Sequence, residues 1–84
     1  MATGTEGSSL TQELNRLAGT TGLDEQGAAN AWAGTTGLAT VGALNIKASG
    51  TRTRDNFKDI DGICNELAGT IGLAAPAALR SINA

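Results

Sequence analysis

Histidine and tyrosine are absent from the chain's 84 residues, and cysteine, proline, methionine, tryptophan and phenylalanine occur once each. Without imidazole the commonest general base is missing, and with it the Ser–His dyad and most metal sites. One cysteine and no histidine leave zinc without a ligand set, and a lone Cys64 cannot form an intrachain disulfide. Asp55, Asn56, Asp59 and Asp61 cluster, but the spacing does not continue into the Gly and distal Glu of a calcium-binding EF-hand loop. No run approaches the ~20 apolar residues of a membrane-spanning helix. The N-terminus lacks the basic start and apolar stretch of a signal peptide. Net charge is −2 and evenly spread, so no basic footprint for nucleic acid or anionic membrane emerges. These absences predict no catalytic residue, no cofactor, no metal, and neither nucleic acid nor membrane as partner. Synthesis in a cytoplasm is expected.

What the chain does have is repetition. Leu-Ala-Gly-Thr-Thr-Gly-Leu at Leu17 to Leu23 returns as Trp-Ala-Gly-Thr-Thr-Gly-Leu from Trp32 and as Leu-Ala-Gly-Thr-Ile-Gly-Leu from Leu67. Aligned on Asn15, Asn30, Asn45, Asn65 and Arg80, five copies of a fifteen-residue unit appear, with five extra residues between the third and fourth. A repeat of this length fixes the unit of architecture.

Each unit reads as one short helix. Ser9, Asp24 and Asp59 stand where an N-cap is needed, Ser9 with Gln12 fits a capping box, and Pro76 suits a first turn. Gly19, Gly34 and Gly69 suit the left-handed residue that ends a helix. Helices are predicted near Leu10–Ala18, Glu25–Ala33, Thr40–Ala48, Ile60–Ala68 and Ala75–Asn83. About ten residues is too short to persist alone, so packing must hold them. The fold expected is all-α: five short helices in a compact array or a single solenoid turn. Residues 9–84 form one domain behind a flexible arm at 1–8, which could also order on a neighbour.

Within that frame, Leu10, Leu14, Leu17 and Ala18 form one buried face of the first helix, with Thr11, Glu13 and Arg16 in water. Trp32 takes the column of Leu17 and Leu67, which predicts its indole as the largest piece of the core. Lys47 stands in the same column, so either its stem snorkels or that face is exposed. Ile60, Ile63, Cys64 and Leu67 give the fourth helix its stripe, with Asp61 and Glu66 outward and Cys64 a buried structural thiol. Gly27, Gly42 and Gly62 inside helices suggest the close approach of another backbone. Asn15, Asn30, Asn45 and Asn65 disfavour a helix interior, but an amide there can tie down the adjacent Gly-Thr-Thr-Gly turn. The column is therefore read as structural.

The insertion at 49–58 replaces one turn with a longer basic segment holding Arg52, Arg54 and Lys58, three of the six basic residues. It is either a solvated loop or the contact surface for a partner, since insertions in repeats concentrate on a binding face and Arg is enriched at interfaces. Phe57 is expected to fold back in place of the missing Leu. A thin, Ala-rich core with twelve Gly favours life in an assembly, as a homo-oligomer or in many copies.

The Leu-Ala-Gly-Thr-Thr-Gly-Leu heptads, with Asn-Ala-Trp-Ala-Gly at Asn30–Gly34, resemble a repeat found in virion proteins of tailed bacteriophages infecting actinobacteria. The third unit departs, with Ala-Ser-Gly-Thr-Arg in place of Ala-Gly-Thr-Thr-Gly. The resemblance implies a non-enzymatic virion component, foremost a decoration or minor capsid protein on the major capsid protein lattice. The alternatives are a minor tail protein and a receptor- or glycan-binding module for host attachment. It names no catalytic residue.

Overall fold

The computed structural model describes residues 9–49 and 58–82. Among these the chain forms α1 (Leu10–Ala18), α2 (Glu25–Ala33), α3 (Thr40–Ser49), α4 (Ile60–Ala68) and α5 (Ala75–Arg80), with no strand. The fold is all-α. The arm at 1–8, the segment 50–57 with Arg52, Arg54 and Phe57, and Asn83 lie outside the described residues.

Local chemistry sets the boundaries. Ser9 and Gln12 form a reciprocal capping box at the start of α1. Asp24 and Asp59 each accept the amide three residues on, at 2.7 Å. The residues donating those amides are Gly27 and Gly62, and a Cβ on either would lie 2.8 Å from the capping carboxylate oxygen. The close approach at these two glycines therefore comes from their own N-cap side chain, not from another helix's backbone as expected. Gly42 has Ala39 three residues before it, where Gly27 and Gly62 have a capping Asp, and is itself buried. Ala74 offers α5 no side-chain cap, and Asp61 on α4 supplies one by accepting from the Ala75 amide at 2.8 Å.

At the other end, Gly19, Gly34 and Gly69 take φ of 73–76°, the left-handed conformation that releases the chain from the helix. In α3 the equivalent residue is Ser49, which stays helical and donates its hydroxyl to the Asn45 carbonyl at 2.8 Å. Helix α5 stops at Arg80, short of the expected Asn83.

Each helix packs on its neighbours in sequence, and α5 returns to α1, which closes the five into a ring. Among the described residues no other pair of helices brings its backbones together. Closure changes which residues are buried. Three consecutive positions disappear in each full unit: Glu13-Leu14-Asn15, Ala28-Ala29-Asn30, Ala43-Leu44-Asn45 and Ile63-Cys64-Asn65. At 3.6 residues per turn, three in a row sweep about 200° of helix surface. A helix with a neighbour on either side buries that much, whereas a single-faced helix buries only a stripe.

This corrects two expectations. Glu13 is not in water: it is 1% exposed and occupies a column otherwise held by Ala28, Ala43, Ile63 and Ala78. Its carboxylate accepts from the Arg16 Nε at 2.8 Å, and Arg16 Nη2 donates to the Leu79 carbonyl on α5 at 2.8 Å. A buried charge is tolerable only when so paired. Trp32 is not the core's largest piece either. It is half-buried, like Leu17, Leu67 and Ile82 in its column, because those side chains lie at the rim beside the helix ends. The fully buried large side chains are Leu14, Leu44, Ile63 and Leu79. Lys47 is exposed, with its Nζ 5.2 Å from the Trp32 ring centroid, a cation–π contact of about 0.5–1 kcal/mol.

Arg16 thus joins the first helix to the last. Arg16→Ala is expected to lower stability by roughly 2–3 kcal/mol, since it removes the guanidinium paired with the buried Glu13 and the bond to the Leu79 carbonyl. A Glu13→Ala/Arg16→Ala double variant should lose less than the sum of the single changes. Urea denaturation of the three variants checks both statements.

Candidate functional site

In four of the five units the repeat converges on one asparagine. The Asn15 Nδ2 donates to the carbonyl of Thr11, one helical turn back, and to the carbonyl of Leu23 beyond the turn, each at 2.9 Å. Its Oδ1 accepts from the Leu23 amide at 3.2 Å and from the Thr20 hydroxyl at 2.9 Å. The amide pairs with both backbone groups of Leu23, as a neighbouring strand would, and all four of its hydrogen-bonding positions are filled. Its own carbonyl receives the Thr20 amide at 2.9 Å, closing the helix end.

The same set recurs to within 0.2 Å. Asn30 holds Gln26, Leu38 and Thr35. Asn65 holds Asp61, Leu73 and Thr70. Asn45 spans the insertion and clasps Lys58 instead, donating to its carbonyl at 2.9 Å and accepting its amide at 2.8 Å. Lys58 thereby stands where Leu23, Leu38 and Leu73 stand in the other units. Five extra residues leave the register of the next helix unchanged.

The consequence is a rigid turn with an outward tip. Gly22, Gly37 and Gly72 all have φ of 74–78°. The residue before each (Thr21, Thr36 or Ile71) points to solvent. Between the helix start and this tip runs a shallow open groove in three of the units. The first is lined by Thr11, Gln12, Asn15, Arg16, Thr20 and Thr21. The second has Gln26, Gly27, Asn30, Ala31, Thr35 and Thr36 in the same positions. The fourth has Asp61, Gly62, Asn65, Glu66, Thr70 and Ile71. The second groove also includes Asp24, so one backbone frame carries three different rims: one with Arg16, one with the single carboxylate of Asp24, and one with Lys58 against Asp59, Asp61 and Glu66.

Of the residues singled out for partner contact, Lys58 is exposed, its Nζ 3.4 Å from Glu66 Oε1. Arg52 and Arg54 lie outside the described residues. Ile71, 95% exposed, was not singled out by sequence reasoning. The signal was there: it interrupts a column that is Thr in the first two heptads.

Cys64 is buried and its thiol is pushed up to about 12 by desolvation, with smaller contributions from the carboxylates of Asp61 and Glu25. It remains a protonated, inert side chain. Among the described residues no three metal-capable side chains come together, and no helix is long and apolar enough to cross a membrane.

Two outcomes follow from this geometry. Asn30→Ala should cost roughly 2–4 kcal/mol, from several lost hydrogen bonds and the stranded Leu38 backbone groups. Asn30→Asp should be at least as damaging, because a carboxylate cannot donate to the Gln26 and Leu38 carbonyls; urea midpoints report both. A folded-state thiol pKa raised above the unfolded 9.0 leaves stability intact below pH 9 and erodes it between pH 9 and about 12. Cys64→Ala should flatten that alkaline loss, measured as the difference between urea midpoints at pH 8 and pH 10.5.

No family model, curated protein or solved structure matches the chain.

Proposed function

We propose that the protein is a non-enzymatic virion component, present in many copies and bound to the major capsid protein lattice as a decoration (minor capsid) protein. The observation that carries this reading is the contrast between satisfied interior and exposed tip in each heptad. The Asn amide uses all its hydrogen bonds within the chain, while Thr21, Thr36 and Ile71 face solvent on a turn held by those bonds. A pre-ordered surface loses little entropy on docking, so repeated rigid tips suit attachment to a protein lattice. The resemblance of the heptads to phage virion repeats points the same way. The basic insertion with Arg52, Arg54 and Lys58 extends that contact surface.

Quantitative mass spectrometry of purified particles tests the reading. Hundreds of copies per particle are expected; a handful would move the protein to the tail, and none would remove it from the virion. Arg52→Ala/Arg54→Ala is expected to reduce incorporation while leaving the circular dichroism of the free protein unchanged. Unchanged incorporation would show that the insertion is not part of the contact.

A further inference from the structure

We propose that the turn of the fourth unit is the principal anchor for the partner: Ile71 inserts into an apolar socket on a partner protein, and that socket is bordered by Lys or Arg side chains. The inference rests on the reading of the chain as a lattice-bound component and names the contact that reading requires.

Comparison between units isolates Ile71 from the needs of the fold. The fourth turn has the same left-handed glycines as the first, with φ of 73° and 78° against 74° and 78°. Its Asn–Thr hydroxyl bond is 2.8 Å against 2.9 Å, and its Asn–Leu amide bond is 3.2 Å in both. Thr21 serves that geometry as well as Ile71 does. An isoleucine 95% exposed also contributes nothing to the core. Its apolar surface is therefore free for a contact outside the chain. Leu73, 39% exposed, lies two residues away and widens the apolar patch.

The surroundings specify the partner. Lys58, Asp59, Asp61 and Glu66 line the groove beside Ile71, three carboxylates against one ammonium. Lys58 and Glu66 lie 3.4 Å apart and offset one another, which leaves Asp59 and Asp61 as exposed negative charge on the rim. An apolar knob inside a charged rim is the arrangement of a protein interface centre, and complementarity requires a basic border on the other side. The first groove carries Arg16, and the second carries Asp24 as its one carboxylate, with Gln26 and Ala31 at the positions of Asp61 and Glu66, so an apolar tip beside three carboxylates belongs to the fourth unit alone among the three.

The experiment uses particles assembled from a genome lacking this chain, to which purified full-length protein is added back and bound protein quantified. Ile71→Thr restores the residue of the sister turns and keeps the fold, checked by its melting temperature. It is expected to weaken binding at least about tenfold. Glu66→Lys is expected to weaken binding as well, and raised salt to reduce wild-type affinity. Wild-type binding matched by Ile71→Thr overturns the anchor while leaving the functional reading standing. Glu66→Lys binding like wild type overturns the basic border. If the wild-type chain does not bind, the functional reading falls and the anchor falls with it. Light scattering on the free protein completes the test: self-association abolished by Ile71→Thr, with particle binding unaffected, would make a second copy the occupant and overturn the proposal.

Discussion

The structure depends on a side-chain amide doing the work of a β-strand. An asparagine near the end of a helix pairs with both backbone groups of a residue eight positions later and takes a threonine hydroxyl besides. A six-residue link between short helices would otherwise leave several polar groups at the edge of the core without partners, at a cost of about 1–3 kcal/mol each. The amide is the one neutral side chain with two donors and a two-site acceptor in a plane, which is why it stands at the same place in four units. It costs helix propensity there, and the closed turn offsets that cost.

With the turns fixed, helix length and direction cease to be free variables, and a core of small residues becomes sufficient. Ala28, Ala29, Ala43, Ala75 and Ala78 are all buried, so neighbouring helices can come close without large side chains between them. The four large buried residues, Leu14, Leu44, Ile63 and Leu79, fall on four of the five helices. Ring closure then places Glu13, the one buried carboxylate among the described residues, beside α5, where Arg16 links it to the Leu79 carbonyl. Everything exposed is left to the tips, the grooves and the insertion, the places where the units differ from one another.

Much of this was legible because it is local. The N-caps, the glycine stops and three of the five helix ends follow from residues within four positions of each other, and repetition made each column visible several times over. The role of the asparagines was readable too, since an amide in a helix interior beside a Gly-Thr-Thr-Gly turn has an obvious use. What misled was the assumption of a single buried face. Glu13 reads as solvent-facing on an isolated amphipathic helix, and Trp32 reads as core by size; both inferences fail once each helix has two neighbours. The glycines at Gly27 and Gly62 failed for a smaller reason: the crowding atom belongs to the helix's own cap.

The sequence by itself determined the element type, the helix starts, the glycine-capped ends, the repeat unit and the clamp, because all of these are decided by contacts within about fifteen residues of chain. Only the tertiary structure decided that α5 meets α1 and that three consecutive positions per helix are lost to solvent. Those outcomes depend on which surfaces meet when the ring closes, a distance of some sixty residues along the chain in the Arg16–Leu79 contact. No local pattern encodes a meeting between ends.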